Sequence, residues 1–514
     1  MSGASPSLSS THDDRPNVVI VVLDCVRADD FERRLQVTGE LPVLQRLRRQ
    51  SVVFPRAAAV APWTVPSHAT IFTGLYPWEH RAHAKGTLPL NPTLPRMPAL
   101  LRDAGYATTS LSANPLLNPE LGLLKGFQST AWSEWWEPYV RNTPSSTRAK
   151  RLQEGGSTPA DGESRLQRLH DGPLVSVLHK LAGLVYRYPF ALDAANRILQ
   201  RVINPNAHEP GEVARWLDPT FADWVESVPS RQPIFAFVNL LEAHEPYFLD
   251  PRVVLGVTDY LRYARTWQDR PSVLNGRWVP TPEELRLLHE LFTGTFRLLD
   301  ARVGQLIATL EAAGRWENTL FILTSDHGQA FCEKGTLFHM HRPDEALLRI
   351  PLWVRYPHGA RGPTTAQGWA SLVDLAPTVL EAAGVPIPPS FSGVPLPTLE
   401  RDSRRGPVLA MADGLALPQE RSQIPPDRMA WIDRLWTAAY ADDRKVTLDV
   451  AGRHYRAYDL SRDPGELIDV WSESPSEFEL LATAAGRVGD ALSGEPNSEI
   501  SSVVEDRLRS WGYL

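Results

Sequence analysis

The sequence predicts an α/β fold: a mainly parallel sheet lying between helices, followed by a small C-terminal α+β subdomain with antiparallel strands. Three observations carry this. Four short apolar runs, at residues 18–23, 234–241, 319–324 and 350–354, show the unbroken hydrophobicity of parallel strands covered on both faces. Sequence of helical period lies between them, clearest at 283–313, where Leu285, Leu288, Leu291, Phe292, Phe296, Leu299, Val303 and Leu306 make one apolar stripe. Past residue 400 the pattern changes: TAAYADDRKVTLDVAGRHYRAYDL, 437–460, alternates and turns like a β-meander. Strands alternating with helices imply crossover connections, hence the parallel sheet.

Taken in order, residues 1–15 read as a polar tail with neither the basic start nor the apolar run of a secretory signal. Residues 16–398 form the large α/β domain, in keeping with a 514-residue chain too long for one ordinary core. An insertion at about 130–230 interrupts it. Its first part, 141–170, is rich in Gly, Ser, Pro and mixed charge and reads as a loop or lid; 174–203 is amphipathic and reads as helix, either a packed surface insertion or a substrate gate. Residues 399–514 form the C-terminal subdomain, closed by a helix at 501–514.

Composition narrows the function. With 53 basic against 60 acidic residues the net charge is −7, which argues against nucleic acid as a partner. No stretch reaches the ~18 apolar residues needed to span a bilayer. Two cysteines, Cys25 and Cys332, suit free thiols in a reducing cytoplasm. The sixteen tryptophans and the amphipathic insertion fit a large or partly apolar group on the molecule bound, and the partner expected is a small-molecule or lipid-like anionic ester. Self-association is left open.

In parallel sheets, ligands bind beyond the carboxyl ends of the strands. There the sequence places Asp24 after the first run, Glu242-Ala243-His244-Glu245 after the second, and Ser325-Asp326-His327-Gly328 after the third. Any one acid there could be a helix N-cap. Together, Asp24, Asp326 and His327 supply two oxygens and a nitrogen, a set suited to one divalent cation: Mn²⁺ or Zn²⁺ first, Ca²⁺ or Mg²⁺ as alternatives. Asp29 reads as a carboxylate near that metal or as a helix cap, and Arg27 as a group sensing a substrate anion or pairing with Asp29. His80 and His83 read as structural, and Cys332 as a small packing residue.

The segments NVVIVVLDCVRAD, APWTVPSHATIFTGLYPWEH, FAFVNLLEAHEPY, TLFILTSDHG and LLRIPLWVRYP occur in the order seen in the sulfatase branch of the alkaline phosphatase superfamily. SLVDLAPTVLEAAGVP, YDLSRDPGELIDV and the ending RLRSWGYL extend the resemblance from about Pro16 to the C-terminus, apart from the insertion. It implies an alkaline-phosphatase-like core and a metal-assisted nucleophile attacking sulfur or phosphorus. In that branch the nucleophile position holds Cys or Ser, oxidised to formylglycine, followed by a pattern ending in Arg. Here the stretch is Thr64-Val65-Pro66-Ser67-His68. Oxidised threonine would give a ketone rather than an aldehyde, and His68 replaces the arginine. A threonine at this place resembles phosphate-directed relatives, with Thr64 as both nucleophile and fourth metal ligand. Its alternative role is to cap a helix beginning just after it. Two-metal relatives carry Asp-x-x-x-His, but Leu240 precedes His244 by four residues, so a single cation is expected and His244 is left to bind or protonate the transferred group. His339 or His341 falls where relatives place a substrate-binding residue, and His68 faces the same task. The expected activity is hydrolysis of phosphate or phosphonate esters through a phosphothreonine; sulfate hydrolysis, phospho-group transfer and an inactive metal-binding protein are the alternatives.

Overall fold

A computed structural model describes residues 15–84, 86–132, 210–247, 259, 262–263, 265–266, 270–359, 364–396, 406–414 and 425–493. The N-terminal tail, the expected lid at 141–170, the amphipathic stretch 174–203, the boundary at 398 and the closing helix at 501–514 lie outside the described residues.

The large sheet has eight strands: β1 (Asn17–Leu23), β2 (Val52–Val53), β3 (Ala107–Ser112), β4 (Ser129–Trp132), β5 (Ile234–Leu240), β6 (Thr319–Thr324), β7 (Leu352–Arg355) and β8 (Thr364–Thr365), in the order β8-β2-β7-β6-β1-β5-β3-β4. Strand β1 is central and pairs in parallel with β5 and β6. Its residues divide between two cores. Val18, Ile20 and Val22 pack in one core with Val65, Ile71 and Phe72; Val19, Val21 and Leu23 pack in the other with Phe31, Phe292, Phe296 and Val303. Burial on both faces is why these strands read as continuous apolar runs.

The fourth run differs from expectation. As β7 it lies antiparallel to both β6 and β2. The connection from β6 holds only a pair of two-residue strands and a four-residue helix, Glu345–Leu348, not a crossover helix, so the chain turns back at the same end of the sheet. The single helix expected at 283–313 also divides, into Pro282–Gly294 and Phe296–Ala312. At the joint the Thr295 hydroxyl donates to the Phe292 carbonyl oxygen at 2.6 Å, a back-bond of the kind that bends helices.

Helix α1 (Ala28–Leu35) follows β1, and helix α2 (Thr64–Thr73) carries the threonine motif. Every residue of α2 is buried, and it ends on Gly74 at φ 62°, where an added Cβ would meet the Phe391 ring at 2.5 Å. His80 supports the same region: Nε2 lies 3.1 Å from the Thr70 hydroxyl, and Nδ1 accepts from the Ala82 N–H at 3.0 Å. His83 pairs with Asp413 at 2.8 Å.

The C-terminal sheet is a meander of four antiparallel strands: β9 (Val408–Asp413), β10 (Leu435–Ala441), β11 (Arg444–Asp449) and β12 (His454–Asp459). Helix α3 (Glu479–Ser493) packs Leu481, Ala482 and Ala485 against Ala439, Val446, Leu448 and Ala457. From β11, the fully buried Lys445 reaches Glu466 at 2.5 Å, Glu345 at 3.1 Å and the Pro343 carbonyl oxygen at 2.6 Å. Glu466 also binds Lys334 at 2.8 Å and the Glu345 N–H at 3.0 Å. Burial disfavours the ammonium, but Glu466, Tyr440 and Glu345 outweigh it and keep Lys445 charged. These contacts fasten the loop between β6 and β7 to the meander. Among the described residues, no helix is long and apolar enough to cross a membrane.

Because removing one member leaves the other charge buried, Lys445→Met should cost about 3 kcal/mol of stability. The double change Lys445→Met with Glu466→Gln should cost less than the sum of the singles. Denaturant unfolding of the four proteins in the cycle measures both.

Candidate active site

The side chains of interest gather where β1, β5 and β6 end. Asp24 follows β1, its N–H donating to the Leu240 carbonyl oxygen at 2.9 Å. The carboxylate accepts from two amides on one oxygen, Asn114 at 2.8 Å and Asn239 at 3.1 Å. Its other oxygen lies 4.0 Å from His327 Nε2. Asp326, after β6, accepts the Cys25 N–H at 3.3 Å and the His327 N–H at 2.9 Å on Oδ1. Its Oδ2 lies 3.4 Å from His327 Nε2 and 3.7 Å from His68 Nδ1. Cys25 takes φ 65°, unusual for a residue with a Cβ, which turns the chain sharply just past Asp24.

Thr64 opens α2 as its first residue, with the extended Trp63 in the cap position. The helix thus starts at Thr64, not just after it, and the hydroxyl makes no capping bond. It instead accepts from the Asn114 amide at 3.3 Å, the same amide that holds Asp24. One turn on, His68 Nδ1 lies 2.8 Å from the Thr64 carbonyl oxygen. Thr64, Asp24, Asp326, His327 and His68 are therefore brought together, all of them buried.

The electrostatics ask for a cation. Burial, followed by the repulsion of Asp24, pushes the Asp326 carboxyl well above the usual range. Asp24 is held low: burial opposes this, but His244 and the Asn114 hydrogen bond are among the groups that lower it. Burial brings His327 down to about 4, so its ring is neutral. The ring directs Nδ1 to the Gly328 carbonyl oxygen at 2.9 Å, which places the proton there and leaves the Nε2 lone pair bare. Among the described residues, Asp326 Oδ2 and His327 Nε2 are buried without a hydrogen-bond partner. Two carboxylates and a bare imidazole nitrogen fit a divalent cation, which supplies the charge that the protein lacks here. Asp24, Asp326, His327 and the Thr64 hydroxyl are the groups that would hold it.

A second cluster adjoins the first. The His339 ring lies 4.7 Å from that of His327 and 5.1 Å from that of His244, with Nδ1 3.4 Å from Glu245. His341 is also buried, two residues further along the same loop.

Of the two readings of Arg27, the structure shows the pairing with Asp29. Arg27 binds Asp29 at 2.8 Å, Asp30 at 3.3 Å and also Glu333, so three carboxylates already meet its charge. The guanidinium is held by these pairings. Asp29, in the first turn of α1, is engaged by Arg27 and Arg33. The groups that orient Asp24 are instead Asn114 and Asn239, both missed in the sequence. Asn114 follows β3, whose run ATTSLS is too polar to stand out; inspecting that strand's carboxyl end would have found it. Asn239 sits inside an apolar run and left no signal.

A family model described as Sulfatase matches residues 16–385, most of the chain. Arylsulfatase K of Xenopus laevis is 24% identical, over 92% of this chain and 82% of its own length. The phosphonate monoester hydrolase of Agrobacterium radiobacter superimposes with a TM-score of 0.60 at 20% identity, covering 96% of each chain. That of Silicibacter pomeroyi, SpPMH, gives 0.59 at 20% identity, covering 94% of this chain and 96% of its own. The chain belongs to the sulfatase family, whose members are metal-dependent ester hydrolases.

Stripping divalent cations leaves two buried carboxylates facing each other. Scanning calorimetry should show a lower Tm after chelation, recovering on re-addition. A cation at a hundred times its Kd should add about 2.7 kcal/mol. In Asp326→Asn, where one of the two charges is gone, that metal-dependent gain should largely vanish.

Proposed function

We propose that this sulfatase-family hydrolase cleaves phosphate or phosphonate esters with Thr64 as its nucleophile, through a covalent phosphothreonine. One observation carries the reading: a single amide, that of Asn114, binds both the Thr64 hydroxyl and the Asp24 carboxylate, tying the hydroxyl to the cation-binding group. A bound divalent cation would make the threonine alkoxide accessible at neutral pH and offset charge on the transferred group.

The chain's own residues do the rest. Thr64 Oγ, its proton lost to solvent, forms a bond to phosphorus while the bond to the leaving oxygen breaks. That oxygen leaves with a proton from His244 or His339. Water then attacks phosphorus, the same imidazole takes its proton, and the threonine oxygen departs and regains a proton from solvent. The first turn of α2 presents backbone N–H groups without helical partners, a favourable setting for an anion. His68, one turn from Thr64, and His341 add polar groups for the non-bridging oxygens. The ester is small or lipid-like and anionic, and the free thiols Cys25 and Cys332 suit a cytoplasmic setting.

Sulfate esters are the second reading, favoured by the name of the Xenopus laevis relative. An aryl phosphate diester, a phosphonate monoester and an aryl sulfate assayed side by side separate the two; dominant sulfate turnover would overturn the first. Thr64→Ala should lose at least about a thousandfold in kcat, while Thr64→Ser keeps measurable turnover. Rapid quenching followed by peptide mass analysis should find the phosphoryl group on Thr64. Equal rates in all three proteins would sink the nucleophile assignment.

A further inference from the structure

We propose that Cys25, His244, Glu245 and His339 form a second divalent-cation site of zinc-binding character beside the first. This extends the reading of the active site above, but it rests on donor geometry rather than on Thr64. Sulfur, a carboxylate oxygen and two imidazole nitrogens all lie within 4.8 Å of one another, and all four residues are buried. His339 Nδ1 is 3.4 Å from Glu245 Oε1 and 3.9 Å from Cys25 Sγ. A tetrahedral zinc with bonds of about 2.0–2.3 Å sets edges of roughly 3.3–3.8 Å between its ligands. Only a small contraction separates these donors from that arrangement.

The surroundings hold the donors in place. His244 turns Nδ1 to the Glu245 carbonyl oxygen at 2.6 Å, which leaves Nε2 as its donor atom. The Gln329 amide donates to Glu245 Oε2 at 3.0 Å and to the Tyr247 hydroxyl at 3.0 Å, leaving Oε1 toward His339. Such outer contacts are what orient ligating carboxylates and imidazoles. The backbone is strained at the same places: Cys25 at φ 65°, and Phe338 at φ 70° with Met340 at φ 103° on either side of His339. Left-handed backbone is unfavourable at such residues, and here it delivers the sulfur and the imidazole to one point.

Sequence spacing pointed to a single cation because Leu240 stands four residues before His244. The structure supplies a carboxylate from the other side, Glu245. Thiolate and imidazole favour zinc over magnesium or calcium, whereas the two aspartates and one histidine of the first group also suit harder cations. With both sites filled, His244 and His339 would be ligands, so the proton transfer proposed above belongs to the protein holding one ion.

Cobalt(II) titration of metal-free protein tests this by elemental analysis and absorption. Two ions per chain are expected at saturation, with a sulfur-to-cobalt charge-transfer band in the near ultraviolet. Cys25→Ser should lose the band and one ion, and Cys332→Ser neither. Asp326→Asn should lose one ion yet keep the band. Glu245→Gln, expected to lose the same ion as Cys25→Ser, covers the case in which the serine protein fails to fold. One ion per chain at saturation, or a band that survives Cys25→Ser, overturns the proposal. Metal counts are read without turnover, so one ion per chain at saturation in a protein that still hydrolyses esters would sink the second site and leave the Thr64 reading standing.

Discussion

Two buried carboxylates that cannot both be charged without help organise this molecule. Asp24 and Asp326 end neighbouring parallel strands, so the sheet itself fixes their approach. Burying an ionised carboxylate without compensation is prohibitive, and much of the nearby structure supplies compensation. Asn114 and Asn239 give side-chain donors to one, and the backbone N–H groups of Cys25 and His327 give donors to the other. These donors all fall on one oxygen of each carboxylate, two of the four oxygen positions. The remainder, with His327 Nε2, is what a cation completes.

Much of the arrangement was legible because it follows from chain direction. Asp24, Asp326 and His327 stood at the ends of runs recognisable as buried strands, and parallel strands share one carboxyl edge. Thr64 was legible from its motif, although its link to Asp24 was not, since that link runs through an asparagine at the end of a polar strand. Strand β3 conceals its burial. Thr108, Thr109, Ser110 and Ser112 are all buried, and the Ser112 hydroxyl bonds Asn239 at 3.1 Å. Hydropathy reads such a strand as exposed because it scores the hydroxyl and not its partner. Glu245 was hidden differently: the spacing sought a carboxylate one helical turn before His244, while the fold offers one immediately after it. For Arg27, the pairing with Asp29 was legible from their two-residue spacing, whereas Glu333 comes from a distant loop and was not.

The left-handed residues around the site show how stability is balanced against placement. Phe338 and Cys25 have no intrinsic reason to occupy that region. The large two-faced core and the buried Lys445 network hold the surrounding chain firmly enough to keep them there. Strain of this kind is tolerated where the rest of the fold over-determines the backbone.

The link between Lys445 and the loop bearing His339 has a consequence for how the protein comes into being. Strands β1, β5 and β6, with both aspartates, leave the ribosome well before Lys445 and Glu466 are polymerised. Until those two residues emerge, Glu345 and Pro343 lack the contacts that fasten the histidine loop. A nascent chain can therefore pair these strands before the contacts that fasten the histidine loop exist, so the two aspartates are positioned earlier than the histidines beside them.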